Sequence, residues 1–547
     1  MNTLFTSTLR YVMVAALLIG TITTTLAQKR LFVFSDPHLL ASGLFQTNST
    51  AFQNDLAGDN KMFDLGNEIM QSMVNTILAE RPDAVLIPGD LTKQGAKMSH
   101  MAMAAWLQQV TDAGIKVFVI PGNHDVNNTQ AVRYDGNNKY PAATVTSSEF
   151  VELYNNMGFA QAIARDNNSL SYVAEPVPGL RLIAMDDNRC TARDYNTNLN
   201  ANGLTMGTRS WMCSQIDEAR SLGKQVVVMM HHNVIEHIDQ QATLSSDAQV
   251  PMAETIRNEL LQHGANLLLT GHMHISNITT WHNDARTDSI VEISTGSAIA
   301  YPCHYRIIEL SPDLGTFTVN TASITQVEGK SDFMAYAEQR MAASARATIS
   351  SIVYHGWDTF NSLLQQYQSI IGRTFTQSEV TDIAYRNMAD AVTELNKVMA
   401  EGNENEKDGQ AIRAHLTSSA SNMADELLAS ADFLTRLVAA PLITQQFNEM
   451  LDTPLNSTLN DCTNYGTDRA NVTDDLHPVL HFTPVEPQPD VVVGDLNDDG
   501  VVDVVDANIL INIALNKAPY IEAGDLNGDG NVDVVDLNLL INIILNK

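Results

Sequence analysis

Five short blocks of the sequence carry side chains of the types that can bind metal ions. Aspartate, asparagine and histidine recur in "SDPH", "PGD", "GNHD", "MMHHN" and "GHMH", in this order along the chain. The side chains with ligand atoms are Asp36, His38, Asp90, Asn123, His124, His231, His232, His272 and His274. Imidazole and carboxylate together suit zinc, iron or manganese, and the lack of thiolates in these blocks argues against a structural zinc cage.

This set of ligands indicates a site for two divalent cations. A carboxylate on a glycine turn can supply both of its oxygens to a pair of ions, and Asp90 follows Gly89 in this way. Two ions about 3.5–4 Å apart stabilise both the attacking and the departing oxygen of an in-line displacement at phosphorus. The blocks therefore predict the hydrolysis of a phosphate ester.

Each block follows an apolar segment that predicts a β-strand. The segments, written with their blocks, are "LFVFS" (31–35), "AVLIPGD" (84–90), "VFVIPGNHD" (117–125), "VVVMMHHN" (226–233) and "ANLLLTGHMH" (265–274), and amphipathic helices are predicted near 61–80, 99–113, 208–222 and 253–263. Alternating strands and helices with short connections predict an α/β domain whose sheet is covered by helices. Since ligands at the carboxyl ends of such strands surround one crevice, we expect them to converge.

Each block alone also has a simpler explanation. "GNHD" is typical of a turn, because asparagine tolerates left-handed backbone angles and aspartate caps the segment that follows. Asp-x-His is typical of a turn as well, and His-x-His occurs on paired surface strands. Five blocks in this order, each after an apolar strand, favour a metal centre over a set of unrelated turns.

The blocks resemble the pattern of the calcineurin-like metallophosphoesterases, which is D-x-H, G-D, G-N-H-[D/E], H and G-H-x-H. The resemblance covers about Lys29–Ile324 and implies an αββα sandwich of two sheets flanked by helices. The metal ligands that it implies are Asp36, His38 and His274 for one cation, Asn123, His231 and His272 for the other, and Asp90 as the bridge between them.

The resemblance also implies the catalytic roles. His124 would face the substrate without binding metal, where it donates a proton to the leaving group or stabilises phosphoryl oxygens. A hydroxide between the two cations, with its pKa lowered by both, would be the nucleophile. The family's ligand in the His-His pair is usually the first histidine. We therefore expect His231 to bind metal and His232 to lie behind it, while the register with His232 as ligand stays open.

Two longer segments, 88–128 and 296–310, are similar to the cyclic-nucleotide phosphodiesterase branch of this family, including a secreted subgroup with a C-terminal helical module. This similarity is less specific than the metal motifs. It favours a phosphodiesterase, and cyclic nucleotides over lipid head groups. A phosphomonoesterase, a nucleotide or phospholipid-headgroup hydrolase and an inactive scaffold or adhesion protein are the alternatives. Thr295, Ser297 and Tyr301 are candidate pocket residues, for which core or turn roles fit equally well.

The composition limits the classes of partner. The chain has 547 residues, 44% of them hydrophobic, which is enough for several packed domains. Its formal net charge of −31 argues against binding to a nucleic-acid polymer, which needs clustered Lys and Arg.

The N-terminus indicates an exported protein, in which cysteines can form disulfides. Residues 1–27 have the pattern of a secretory signal peptide with cleavage after Ala27, and no later stretch is long and apolar enough to span a membrane. We therefore expect a secreted protein, extracellular, periplasmic or at the cell surface. Four cysteines permit two disulfides, and Cys190 with Cys213, which flank one loop, are the expected pair.

The sequence changes character after the predicted catalytic domain, 28–330. Residues 331–462 are rich in Ala and Met at helical spacing and predict a helical module, which either packs on the catalytic sheet or acts as a lid. Residues 463–490 lose this periodicity and gain proline, which predicts a linker.

An internal repeat ends the chain, in the predicted domain 491–547. "GDLNDDGVVDVVDANILINIALNK" (494–517) recurs as "GDLNGDGNVDVVDLNLLINIILNK" (524–547), and each copy begins with the pattern of a calcium loop. The predicted calcium ligands are Asp495, Asn497, Asp499, the Val501 carbonyl, Asp503 and Asp506 in the first loop, and Asp525, Asn527, Asp529, the Asn531 carbonyl, Asp533 and Asp536 in the second.

A loop followed by a helix, twice, resembles a type I dockerin. This resemblance implies two bound calcium ions and a cohesin-like protein partner. The residues that it implies in partner recognition are Val504, Val505, Val534 and Val535, which are identical in the two copies. A calcium-stabilised terminal module without a partner is the alternative.

Overall fold

The computed structural model describes residues 28–196, 202–238, 241, 248–366, 368, 372–402, 406–429, 431–459, 469–471, 475–485, 494–497, 501–515, 517–519, 521–527 and 531–545. The predicted signal peptide and Cys462 lie outside these residues. The chain divides into two compact units, 1–219 with 225–484 and 220–224 with 485–547. Among the described residues, no helix has both the length and the apolarity that crossing a membrane requires.

Two β-sheets form the centre of the larger unit. The strands are β1 (Lys29–Val33), β2 (Ala84–Ile87), β3 (Lys116–Val119), β4 (Val132–Asp135), β5 (Asn138–Pro141), β6 (Ala164–Arg165), β7 (Tyr172–Ala174), β8 (Leu180–Ala184), β9 (Gln225–Met229), β10 (Leu267–Thr270), β11 (Asn277–His282), β12 (Ser289–Ser294), β13 (His304–Leu310), β14 (Thr316–Ser323), β15 (Arg469–Asn471) and β16 (Val479–His481). The first sheet has the order β16-β14-β13-β1-β2-β3, and the second has the order β15-β11-β12-β10-β9-β8-β7-β6. Strands β4 and β5 form a separate hairpin.

The helices of the larger unit are α1 (Thr50–Ala57), α2 (Gly66–Glu80), α3 (Lys97–Asp112), α4 (Ser147–Leu153), α5 (Cys190–Arg193), α6 (Met206–Ser221), α7 (Ala253–His263), α8 (Phe333–Gln366), α9 (Gln377–Glu401), α10 (Glu406–Leu427) and α11 (Phe433–Leu459). The first seven of them connect or flank the strands, and the last four form the helical module. The smaller unit has α12 (Val504–Ala514) and α13 (Val534–Leu545).

Alternating side chains of the central strands explain the layered packing. In β9, Val227 and Met229 belong to the main core between the sheets, whereas Val226 and Val228 pack in a second cluster with side chains of α6 and α7. A strand that is buried on both faces is apolar throughout. This is why the strands that carry the ligand blocks have no polar alternation. The predicted αββα sandwich followed by a helical region is confirmed.

The helical module packs on the catalytic domain. Phe333, Ala337 and Met341, in the first turns of α8, belong to the main core. Further along α8, Ala345 and Ile349 pack instead in the core of the helical module itself. One continuous helix therefore joins the two cores.

The predicted linker, 463–490, contains two strands. β15 pairs with β11 in the second sheet, and β16 pairs with β14 in the first sheet. Between them, the Thr321 amide donates to the Leu476 carbonyl at 2.9 Å and the Val319 amide donates to the Pro478 carbonyl at 3.0 Å. The prediction of a linker over this whole range was therefore wrong. The two strands were not predicted because segments of three residues are too short to show a recognisable alternation of polar and apolar residues.

The expected disulfide between Cys190 and Cys213 is not formed, and both thiols are free. Cys190 is buried in the main core, whereas Cys213 packs against the cluster beneath α6. The two side chains therefore lie in different hydrophobic clusters, although the residues flank one loop.

The smaller unit contains two similar loop–helix segments around a few apolar side chains, which are Leu496, Val502, Leu510 and Leu540. The last predicted calcium ligand of each loop is buried and accepts backbone amides. Asp506 Oδ1 accepts the Leu496 amide at 2.7 Å, and Asp536 Oδ1 accepts the Leu526 amide at 2.8 Å. The predicted ligands Asp499 and Asp529 lie outside the described residues. The predicted recognition residues Val504, Val505, Val534 and Val535 are all exposed.

Candidate metal centre

The ligand blocks meet where the two sheets present the carboxyl ends of their parallel strands. The blocks with Asp36, Asp90 and Asn123 follow β1, β2 and β3 of the first sheet, and those with His231 and His272 follow β9 and β10 of the second. Several of these residues have left-handed backbone angles, with φ of 51° at Asp36, 38° at His38, 47° at Asp90, 64° at His272 and 57° at His274. Such angles outside glycine cost energy and concentrate at functional sites.

The first group consists of Asp36, His38 and His274. Asp36 Oδ1 lies 3.3 Å from His274 Nε2 and 3.8 Å from His38 Nε2, and the two nitrogens are 3.0 Å apart. Ligand atoms at about 2.1 Å from a tetrahedral ion are about 3.4 Å from one another. The spacing therefore fits one cation.

The second group consists of Asn123, His231 and His272. Asn123 Oδ1 lies 2.9 Å from His231 Nε2 and 3.1 Å from His272 Nδ1, and these two nitrogens are 3.2 Å apart. The same spacing argument applies to this group.

Asp90 lies between the two groups. Its Oδ2 atom is 3.4 Å from His231 Nε2 and 3.6 Å from His38 Nε2. Its Oδ1 atom accepts the backbone amide of His124 at 2.9 Å. One oxygen therefore faces both groups, whereas the sequence analysis expected both oxygens to be available.

Two features of the hydrogen bonding fit bound cations. Asp36 Oδ1 is buried and has no hydrogen-bond partner among the described residues. His231 Nδ1 lies 2.8 Å from the Pro88 carbonyl oxygen, which can only accept, so Nδ1 carries the hydrogen. The lone pair on Nε2 of a neutral His231 then faces Asn123 Oδ1, another acceptor. Two acceptors pointing at each other require a cation or a proton between them.

The pKa values of the ligand histidines are also consistent with metal binding. Burial lowers the pKa of His38 and of His272 well below the ordinary value, so both rings are neutral and can bind metal. Burial also acts to lower the pKa of His231, but the carboxylates of Asp90, Asp36 and Asp187 together outweigh burial and raise the pKa to about 10. A metal must displace that proton, so metal affinity should fall as the pH falls.

His124 lies at the accessible side of the centre. Its side chain is 33% exposed, and Nε2 is 3.9 Å from Asp90 Oδ2. The side chain of His38 is only 2% exposed. This position suits contact with a substrate.

Asp125 holds two ligand loops together. The sequence analysis expected this residue only to cap the segment after the turn. Its Oδ2 accepts the amides of Leu91 and Gly122 at 3.0 and 2.9 Å, and its Oδ1 accepts the Thr92 amide at 2.9 Å. The loops that carry Asp90 and Asn123 are therefore fixed to one buried carboxylate.

Two more buried carboxylates were missed. Asp187 Oδ2 accepts the backbone amide of His232 at 2.8 Å and lies 3.1 Å from its Nδ1. Glu292 Oε2 accepts the amides of Val234 and Ile235 at 3.0 and 2.7 Å. The sequence did contain a signal for both residues. Asp187 ends the apolar segment "LRLIAMDD", and Glu292 interrupts the apolar segment "SIVEIST".

The candidate pocket residues have different surroundings. The Ser297 hydroxyl donates to the Asp36 carbonyl at 2.7 Å, so it supports a ligand loop. Thr295 is fully buried. The Tyr301 hydroxyl contacts Glu401 of α9, so it joins the catalytic domain to the helical module.

The two neighbouring histidines should respond differently to substitution. His232→Ala is expected to lower kcat/KM by about 10–100-fold, which is typical when a group supporting a ligand is removed. His231→Ala should lower it further and lose one of two bound metals, because His231 faces Asp90 and Asn123. Kinetics with metal analysis of both variants checks this. Loss of a metal from the His232 variant alone would show that His232, not His231, is the metal ligand.

Comparison with known protein families identifies two domains in the chain. Residues 29–276 match the family of calcineurin-like phosphoesterases, and residues 493–545 match the type I dockerin domain, so the chain carries both domains. A phosphoesterase domain of this fold implies divalent metals, and a dockerin implies calcium. No match was found among curated proteins.

Three solved structures are similar to part of the chain. A dimetal phosphatase from Danio rerio has 11% identity and a TM-score of 0.39, and the match covers 54% of this chain and 96% of that one. GAP50, the anchor in the inner membrane complex of Plasmodium, has 13% identity and a TM-score of 0.30, with 58% and 94% covered. The phosphopantetheinyl hydrolase of Mycobacterium tuberculosis has 14% identity and a TM-score of 0.26, with 50% and 90% covered.

Proposed function

We propose that this protein is a secreted, binuclear metal-dependent phosphodiesterase that acts on cyclic nucleotides or related diesters, and that a calcium-dependent module docks it to a protein partner. The observation that carries the catalytic part is the convergence of two ligand groups on one oxygen of Asp90. Support for a diester comes from the similarity of segments 88–128 and 296–310 described above.

The residues would divide the work as follows. Asp36, His38 and His274 would hold one divalent cation, Asn123, His231 and His272 the other, and Asp90 both, with iron, manganese or zinc as the metals that suit these ligands. When bound, the two cations would activate a water molecule and offset the charge that develops on the phosphoryl group. His124 would contact the phosphoryl or leaving-group oxygen, and Asp125 would keep Asn123 and Asp90 in register.

The test of this proposal is metal analysis of the purified full chain combined with a panel of esters. We expect two divalent metals in the larger unit, and faster hydrolysis of bis-p-nitrophenyl phosphate and of cyclic nucleotides than of p-nitrophenyl phosphate. Preference for the monoester would make the protein a phosphomonoesterase. No hydrolysis of any ester after metals are restored would favour an inactive scaffold.

The ligand positions of the repeat lead to a second expectation. Because the smaller unit buries little apolar surface, we expect its stability to depend on bound calcium. Each calcium site stabilises it by about 2.7 kcal/mol when free calcium is about 100 times the dissociation constant. Limited proteolysis of the full chain should therefore cleave residues 494–545 in EGTA and spare them in calcium, while magnesium should protect less. Equal resistance in EGTA would contradict the calcium assignment.

Partner docking would use the exposed valines at the start of α12 and α13. Val504 is 73% exposed and Val534 is 64% exposed. A cohesin-like partner is expected to bind the full chain in calcium, and a Val504→Asp/Val534→Asp variant should bind more weakly. Equal affinity of the variant and the wild-type chain for the partner would show that these valines are not the docking surface.

A further inference from the structure

We propose that Lys61 binds a phosphoryl oxygen of the substrate and that the helical module holds this lysine in place through Arg340 and Tyr336. The inference rests on the proposed phosphoesterase function and assigns a substrate-binding residue and its support. It concerns residues 59–64, between α1 and α2, which are called the lysine loop below.

The lysine loop is connected to the metal centre by backbone contacts. The Met62 amide donates to the Ile299 carbonyl at 3.0 Å, and the amide of Ala298, the residue before Ile299, donates to the Ser35 carbonyl at 2.9 Å. Ser35 in turn donates its hydroxyl to Asp36 Oδ2 at 2.6 Å. The loop therefore lies beside the Asp36 side of the centre.

Lys61 is a partly buried cation in this loop. Its Nζ lies 3.2 Å from Asp59 Oδ1, and its side chain is 18% exposed. Lys61 directly precedes Met62, so the ion pair belongs to the part of the lysine loop that is hydrogen-bonded towards Asp36.

One helix of the helical module contacts both ends of the lysine loop. The guanidinium of Arg340 donates to the backbone carbonyl of Asp59, and the Tyr336 hydroxyl donates to Asp64 Oδ2 at 2.7 Å. Both residues lie in the first turns of α8, where Phe333 and Ala337 are fixed in the main core. The loop is therefore held from a rigid element.

An ammonium group at this position suits the substrate. Phosphate esters carry charged oxygens that do not react, and lysine binds them as a point charge. An ammonium has three hydrogens to donate, so the contact with Asp59 leaves two for a ligand. In a chain of net charge −31, a cation beside the metals also counteracts repulsion of an anionic substrate.

Lys61→Met is the direct test, because it keeps the apolar stem and removes the charge. We expect orthophosphate binding, measured by calorimetry on the metal-loaded full chain, to weaken by about tenfold, as for a lost hydrogen bond to a charged group. KM for bis-p-nitrophenyl phosphate should rise by a similar factor, with metal content unchanged. Lys61→Arg should recover part of the affinity. Unchanged phosphate affinity in Lys61→Met would overturn the proposal.

The role of the helical module is tested by Arg340→Ala, with Arg346→Ala as the matched control. Arg346 lies on the same helix but pairs with Asp382 at the surface, at 2.5 Å, so its removal should leave KM unchanged. Arg340→Ala should raise KM, and a Lys61→Met/Arg340→Ala double variant should be no worse than Lys61→Met alone. Additive effects would show that Arg340 does not act through Lys61. If Arg340→Ala does not fold, Tyr336→Phe gives the same comparison.

These outcomes remain separable from the proposed function. If the wild-type chain hydrolyses no ester after metals are restored, the proposed function fails. Orthophosphate binding still tests Lys61 in that case, because it needs no turnover.

Discussion

Asp90→Ala is expected to reduce turnover by about a thousandfold or more, because loss of the shared ligand removes several kcal/mol of charge stabilisation and each 1.36 kcal/mol is tenfold in rate. Asp90 Oδ2 lies 3.4 Å from His231 Nε2 and 3.6 Å from His38 Nε2, so one oxygen faces both ligand groups. Asp125, the carboxylate fixed to the same loops, accepts backbone amides with both of its oxygens and so is not free to replace it.

The measurement is kcat/KM on a diester together with the metal content of the purified variant. Asp135→Ala is the matched control, because Asp135 is 56% exposed and pairs only with Arg133 among the ion pairs of the described residues. Near-normal activity of the Asp90 variant would refute the shared-ligand assignment. Loss of activity in both variants would indicate a general loss of folding.

Gly122→Ala is expected to lower kcat/KM by about a hundredfold, the upper range seen when support for a metal ligand is lost. A Cβ atom at Gly122 would lie 2.1 Å from Asp90 Oδ1 and 2.3 Å from the Asp90 backbone nitrogen. Neither atom can move away without displacing the carboxylate. The glycine of "GNHD" is therefore required for close approach of two ligand loops.

Gly58→Ala provides the control, because a Cβ there would meet its nearest atoms at 3.8 and 3.9 Å, which is ordinary contact. We expect that variant to keep wild-type activity and metal content. Metal titration of the Gly122 variant should show weakened binding while its circular dichroism stays native. Full activity of the Gly122 variant would mean that the two loops are farther apart than described.

Much of the centre was predictable because its residues belong to local patterns. Each ligand block directly follows an apolar strand, and the carboxyl ends of parallel strands meet at one edge, so convergence followed from strand order. The helices predicted near 61–80 and 253–263 from apolar spacing are present as Gly66–Glu80 and Ala253–His263.

Residues that act at long sequence separation were not predictable in the same way. Asp187 reaches His232 across 45 positions, and Arg340 reaches Asp59 across 281. A single carboxylate or guanidinium in a strand or helix has no periodicity that indicates its partner. The cysteine prediction was wrong for a related reason, since residues that flank one loop can face different layers of a sandwich.

The short strands β15 and β16 have a practical consequence for shortened versions of the protein. They cover the outer sides of β11 and β14, which would otherwise present free backbone amides and carbonyls. Exposed edge strands of this kind can pair with strands of other molecules and cause aggregation. A chain cut after residue 330, where the sequence alone would place the end of the catalytic domain, should therefore be far less soluble than one that also retains 331–484.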